Sequence, residues 1–239
     1  MASALGWGAL AASSLVIGGI LGAARAWPRR LVGLVLAFGA GALISAVSFD
    51  LAEEGAQVGG PGTVAVGLAA GALTYFALDV LLEARGGSGN GGGGESAAGV
   101  SLALGALLDG IPEQLVLGIG IASGEGVGVG LLVAIFVSNL PESIGAANDL
   151  VAAGRSARAV RLLWLVVAAV CTLATVVGFA IADSAGGDLR ATIDGFAAGA
   201  LLVMLIDSMI PEGARKAGRP AGLATVLGFA VAAGLSGLS

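Results

Sequence analysis

Carboxylate, amide and hydroxyl side chains recur in two segments that are otherwise apolar. One segment reads LDGIPEQ at 108–114, and the other reads SNLPES at 138–143. Within each segment the oxygen-bearing residues lie three or four positions apart, which places them on one face of a helix. They are Asp109 and Glu113 in the first segment, and Ser138, Asn139 and Glu142 in the second. Acids buried without a basic partner either take up protons or bind a cation, so this pattern predicts a cation site.

Each of these segments also contains a proline, Pro112 in the first and Pro141 in the second. A proline inside a helix lacks an N–H and clashes with the carbonyl four residues back, so the helix kinks there. Two neighbouring kinked helices would add backbone carbonyls to the acids and form an oxygen-rich cage. The alternative is a pair of structural kinks beside protonated, hydrogen-bonded acids. Recurrence of the motif at matching depth in two helices favours the cation site.

Long apolar runs must position these residues. Of the 239 residues, 57% are hydrophobic and 11% are charged, and the mean hydropathy is +0.99. Each run is close to the roughly 20 residues that a helix needs to cross a bilayer. We therefore predict an all-α membrane protein with a single transporter domain over 1–239, and a flexible Gly-rich cytoplasmic linker at 86–94. The eight predicted helices span about 3–24, 31–54, 61–83, 97–122, 126–152, 160–182, 190–211 and 221–238. A Gly-x-x-x-Gly motif at 195–199 predicts close helix packing within the chain.

The basic residues indicate the orientation. Ten of the eleven Lys and Arg residues fall in alternate loops, and only Arg190 falls on the other side. By the positive-inside rule the basic loops are cytoplasmic and both termini are extracytoplasmic. Because no basic residue precedes the first span, we do not expect that span to be a cleaved signal peptide. The predicted location is the plasma (inner) membrane, with a multi-pass topology.

A second set of acids lies toward the ends of the second and seventh spans. The segments 49–56 and 206–214 resemble each other and, in the predicted topology, lie on opposite sides of the membrane midplane. Helices 1–3 and 6–8 also run in opposite directions, which predicts an inverted repeat around a central helix 4/5 pair. We interpret five acids as an entrance and exit path for the ion: Asp50, Glu53, Glu54, Asp207 and Glu212. Three further acids near span ends are interpreted as solvated: Asp79, Asp149 and Asp194.

With these motifs the chain resembles the ZIP family of divalent metal transporters. The resemblance implies eight spans with both termini outside, inverted repeats in spans 1–3 and 6–8, and a metal site between spans 4 and 5. The Pro-Glu cores at Glu113 and Glu142 match the family motifs of those two spans. The segments ending at Glu54 and Glu212 resemble the acidic motifs of the second and seventh spans.

The chain departs from the family pattern where histidine is usual. It has no histidine, and Asp109 and Gly110 stand where the family's fourth span carries histidine and asparagine. The sixth span has no interior acid that would replace a ligand supplied there by some members. We therefore interpret the site as a single-ion site of Asp109, Glu113, Asn139 and Glu142. All-oxygen ligation favours Mn²⁺, Mg²⁺ or Ca²⁺, whereas the resemblance favours Zn²⁺ or Fe²⁺.

The predicted function is inward transport of a divalent metal cation such as zinc, iron or manganese. The metal is the substrate, no cofactor is expected, and the expected partners are the metal and the lipid bilayer, without nucleic acid; a homodimer is left open. A calcium/cation antiporter is the first alternative, but its Pro-Glu motifs lie in separate halves of the chain, whereas here they lie on consecutive helices. An intramembrane enzyme is the second. Without histidine, Gly-x-Gly-Asp or Gly-x-Ser-x-Gly, it has no visible catalytic set, so we predict that the protein is not an enzyme.

Overall fold

The computed structural model describes residues 1–86, 95–122, 129–183 and 186–236. The regular elements in these ranges are all helical. Counted as continuous segments, they are α1 (Ala2–Ala24), α2 (Arg29–Gly59), α3 (Pro61–Gly86), α4 (Glu95–Ala122), α5 (Val129–Ala152), α6 (Ala157–Asp183), α7 (Gly187–Ala217) and α8 (Pro220–Ser236). The predicted linker lies outside the described residues, except for Gly86 at the end of α3.

Six of these helices are long and apolar enough to cross a membrane: α1, α2, α3, α5, α6 and α7. The described parts of α4 and α8 contribute shorter apolar stretches, Gly110–Ala122 and Pro220–Leu235. Large apolar side chains such as Leu73 and Leu223 are exposed on the outside of the bundle, as a lipid environment requires. The predicted fold class, an all-α membrane protein, is confirmed.

The helices pack in pairs that an inverted repeat requires. α3 packs along α7 and α8 packs along α2, while α1 packs along α5 and α4 packs along α6. An inverted repeat exchanges α1, α2 and α3 with α6, α7 and α8, and α4 with α5. Under this exchange the α3–α7 pair becomes the α8–α2 pair, and the α1–α5 pair becomes the α6–α4 pair. α1 and α6, which exchange with each other, also pack together. The central α4 and α5 therefore lie between two matching halves.

Both long helices, α2 and α7, contain a segment with π-helical hydrogen bonding. In α2 it covers Val47–Glu53 and in α7 it covers Leu205–Met209. Asp50 lies in the first π segment and Asp207 lies in the second, at matching places in the two halves. π segments inside α-helices are rare and occur frequently at functional sites. Both helices continue beyond the predicted ends at 54 and 211, because their last turns are polar but still helical.

The glycine motif of α7 packs against the backbone of α3. A β-carbon added at Gly195 would lie 2.3 Å from the carbonyl oxygen of Val64, and one added at Gly199 would lie 2.0 Å from that of Leu68. Only glycine permits so close an approach between two helices. The predicted role of the motif, packing within the chain, is confirmed.

Candidate metal centre

Glu113 lies in the interface between α4 and α5, directly after Pro112, and is only 2% exposed. The hydroxyl of Ser138 donates to its Oε1 at 3.1 Å, and Nδ2 of Asn139 donates to its Oε2 at 2.5 Å. Both donors come from consecutive residues of α5 and are themselves buried. Each oxygen of this carboxylate is therefore oriented by a hydrogen bond from the neighbouring helix.

Asn139 is also bound within its own helix. Its Nδ2 donates a second hydrogen to the carbonyl oxygen of Ile135 at 2.9 Å. The Ser138 hydroxyl lies 3.0 Å from the same oxygen, which is the alternative acceptor for its single hydrogen. With its nitrogen turned to Glu113, Asn139 would have to rotate its amide to offer Oδ1 to an ion.

The structure brings together three of the five residues predicted for the cation site: Glu113, Ser138 and Asn139. Glu142 follows Asn139 by three residues on the same face of α5 and is partly exposed. The backbone of Asp109 lies in α4, one turn before Glu113, but its side chain is outside the described residues. Within the described part of the chain, no three Asp, Glu, Cys or His side chains lie close enough to hold a metal ion. The described side chains at the centre that contain oxygen atoms able to bind a metal are thus a carboxylate, an amide and a hydroxyl.

A second hydrogen bond links α4 to α6 beside this centre. The hydroxyl of Thr175 donates to Oε1 of Gln114 at 2.5 Å, and both side chains are 0% exposed. One turn earlier on each helix, Cys171 faces Gly110, where an added β-carbon would lie 2.8 Å from Sγ. Residue types alone did not pair Gln114 with Thr175, because 61 residues separate them and only the packing of α4 against α6 brings them together. These contacts hold α6 against the face of α4 that adjoins Glu113.

At one end of the bundle, Arg190 of α7 connects to the last turns of α2. Its Nη2 donates to Oε1 of Glu54 at 3.0 Å. Asp194, one turn further along α7, is 3% exposed. It packs against Gly55 of α2, where an added β-carbon would lie 3.3 Å from Cβ of Asp194. The expectation that Asp194 is solvated is therefore wrong, because α2 covers it. Glu53, in contrast, is exposed to the surroundings.

The opposite end carries the basic loops, and we call it the basic end. A cavity of about 480 Å³ opens there between the ends of α1, α2, α5 and α7. Its charged lining residues are Arg25, Arg29, Asp149, Arg215 and Lys216. Next to it, Lys216 forms an ion pair with Glu212, an acid of the predicted path. Asp207, the other predicted acid of α7, is exposed.

The fold and these side chains define a class of protein: a multi-pass helical membrane protein with a buried carboxylate between two proline-containing helices. The sequence pattern of the ZIP zinc transporter family matches residues 83–236. A candidate zinc transporter from Arabidopsis thaliana is 32% identical over an alignment of 189 residues, and the alignment covers 77% of this chain. The matched part spans 30% of the plant protein. The chain belongs to the ZIP family, whose members are transporters rather than enzymes.

Proposed function

We propose that the protein transports divalent metal cations through a site between α4 and α5. The observation that supports this most directly is Glu113, a buried carboxylate whose two oxygens are oriented by Ser138 and Asn139 of the facing helix. A buried acid within an apolar helix is costly in a membrane, and such acids most often mark an ion pathway. Family membership supports a metal as that ion.

In this proposal the ion leaves water near Glu54 and Asp50, binds at Glu113 with Asn139 and Glu142, and leaves past Asp207 and Glu212. Asp109, one turn before Glu113 in α4, completes the ligand set. The two π segments support the path, because each places an acid of one half at the position that matches the other. Alternating access between two sides requires an entrance acid and an exit acid that the inverted repeat relates to each other.

The proposed orientation rests on the basic end. Ten of eleven Lys and Arg residues fall in alternate loops, and by the positive-inside rule this supports a cytoplasmic location for that end, with both termini outside. Arg190, the exception, is held in the ion pair with Glu54. We propose that the ion moves inward, from the end with Glu54 to the basic end. The plasma-membrane location stays a prediction, and a homodimer is left open.

The test is metal uptake into proteoliposomes, with Zn²⁺, Fe²⁺, Mn²⁺, Cd²⁺, Mg²⁺ and Ca²⁺ measured in parallel. Glu113→Gln keeps the size of the side chain but removes its charge and replaces one acceptor oxygen with an amide donor, and we expect it to abolish uptake. Asp188→Asn, at an exposed acid in the first turn of α7, is the matched control and should retain wild-type uptake. Uptake by Glu113→Gln at the wild-type rate, or no flux of any of the six ions in the wild type, would overturn the proposal.

A further inference from the structure

Lys216, in the last turn of α7, has an unusually buried side chain for a lysine. It is 9% exposed, and its ammonium contacts Oε1 of Glu212 one turn earlier. Arg215, its neighbour, lies 3.9 Å from the same oxygen but is 70% exposed. Lysine rarely becomes buried unless it is paired, since taking an ammonium out of water is unfavourable. Lys216 therefore occupies a position that the fold has made for it.

Two glycines make that position. A β-carbon added at Gly33 of α2 would lie 2.5 Å from Cβ of Lys216, and one added at Gly145 of α5 would lie 2.8 Å from its Nζ. The side chain therefore passes between α2 and α5, and its charged end reaches the surface of α5. A residue larger than glycine at position 33 or 145 would clash with the lysine side chain.

The Lys216 ammonium contacts α5 at Gly145, on the helix face that carries the proposed metal site. Asn139, Glu142, Gly145 and Asp149 follow one another at spacings of three, three and four residues, so they line one side of the helix. The cavity at the basic end is lined by Gly145, Asp149 and Lys216. The ammonium thus lies in the wall of the cavity beside Gly145, one turn of α5 after Glu142.

We propose that Lys216 is a tethered cation that closes the inner end of the ion path. This rests on the proposed function. A divalent cation leaving Glu142 meets the like charge of the ammonium, which water screens little because the side chain is only 9% exposed. The ion passes when it takes the place of the ammonium at Glu212 and the lysine side chain moves into the cavity. Glu212 is then a carboxylate that holds either the lysine or the metal.

The experiment measures access to position 142 from each side of the membrane. Cys171 is the single cysteine of the chain, so Cys171→Ala with Glu142→Cys gives one reactive thiol. Membrane vesicles of both orientations are treated with a cationic and with a neutral membrane-impermeant methanethiosulfonate reagent. Lys216→Met removes the charge while keeping a side chain of similar length, and Arg215→Met is the matched control.

With Lys216 present, we expect slow labelling by the cationic reagent applied at the basic end. Lys216→Met should raise that rate about tenfold, because a charge in a cleft of low dielectric alters the local concentration of a charged reagent by that order. The neutral reagent should gain less, and Arg215→Met should change neither rate. Equal rates with and without the Lys216 charge, or the same gain from Arg215→Met, would overturn the proposal.

Two further measurements keep the result interpretable. If Lys216→Met does not fold, Lys216→Gln removes the same charge with a polar side chain and should also speed labelling by the cationic reagent; unchanged labelling there would overturn the proposal. Labelling requires no transport, so its outcome is separate from that of the uptake assay. Uptake that survives Glu113→Gln refutes the proposed site, while a shift in labelling would still establish Lys216 as the inner closure.

Discussion

Asn139 of α5 and Glu113 of α4 are joined by a hydrogen bond in which Nδ2 donates to Oε2 at 2.5 Å. The same nitrogen donates its second hydrogen to the carbonyl of Ile135, so the amide is held by its own helix while it binds the facing one. Glu113 is nearly inaccessible, and its two oxygens receive hydrogen bonds from the consecutive residues Ser138 and Asn139. The pairing of α4 with α5 at mid-chain therefore depends on a polar contact as well as on apolar packing.

The first prediction concerns loss of this contact. Asn139→Leu keeps the number and branching of the side-chain heavy atoms but cannot donate, so Glu113 stays buried with one hydrogen bond fewer. Leaving a buried polar group without its partner costs about 1–3 kcal/mol, and more when the group is charged. We expect a lower Tm in detergent, measured by thermal unfolding. An unchanged Tm would show that the hydrogen bond adds nothing to stability.

A second prediction uses the acidic replacement at the same place. Asn139→Asp puts a second carboxylate beside Glu113, and like charges at that distance destabilise the fold unless a cation lies between them. A ligand that binds only the folded state raises its stability with concentration. We expect the Tm of Asn139→Asp to rise more than that of the wild type when Mn²⁺ or Zn²⁺ is added. Asn139→Leu is the control and should respond less than either; equal responses in all three proteins would contradict a metal site at this position.

The polar motifs of α4 and α5 were predictable because their spacing is local. Three- and four-residue intervals place Asn139 and Glu142 on one face whatever the rest of the chain does, and the repeated Pro-Glu core indicated that the two helices act together. The family was indicated by the resemblance of these motifs to those of its members, and the all-helical fold by the long apolar runs, which allow few structures in a bilayer. A metal ligand would offer Oδ1, but Asn139 turns its nitrogen toward Glu113, and residue types do not predict that orientation.

The remaining features depend on contacts between distant segments. Arg190 and Glu54 are separated by 136 residues, and only the packing of α2 against α7 brings them together. Asp194 lies near the end of an apolar run, and its burial depends on α2 passing over it at Gly55. The π segments leave no signature in composition, because they differ from an α-helix only in the hydrogen-bond register. The burial of Lys216 likewise depends on Gly33 and Gly145, which only the fold brings beside its side chain.

A third prediction tests the close approach of α3 and α7. Gly199→Ala would place a β-carbon 2.0 Å from the carbonyl oxygen of Leu68, and the two helices would have to separate. Inserting an atom into a well-packed interface typically costs about 1–3 kcal/mol. Gly62→Ala in the first turn of α3 meets nothing within 4 Å and is the matched control. We expect Gly199→Ala to lower the Tm and Gly62→Ala to leave it unchanged or raise it slightly. Equal effects would mean that this interface does not require glycine.

A fourth prediction couples Gly110 to Cys171. The added methyl group of Gly110→Ala would lie 2.8 Å from Sγ, so α4 and α6 would be pushed apart one turn before Glu113. Cys171→Ala removes the sulfur and creates room for that methyl group. We expect the single variant Gly110→Ala to lose both thermal stability and metal uptake, and Gly110→Ala/Cys171→Ala to recover most of both. Residues in direct contact typically show coupling of about 0.5–3 kcal/mol in such a cycle. Strictly additive effects would contradict the contact.

The last prediction concerns the hydrogen bond between Thr175 and Gln114. Oε1 of Gln114 accepts from Thr175, whereas its Nε2 has no hydrogen-bond partner among the described residues. Thr175→Val keeps the shape of the side chain but removes the donor, which leaves both ends of a fully buried amide unpaired, at a cost of about 1–3 kcal/mol. Gln114→Met replaces that amide with an apolar chain of similar length, so it removes the unpaired groups altogether. We therefore expect the double variant Gln114→Met/Thr175→Val to unfold at a higher temperature than Thr175→Val alone, although it carries one more substitution. If the double variant is the less stable of the two, the amide makes a stabilising contact in the membrane, and its unpaired nitrogen is not a cost.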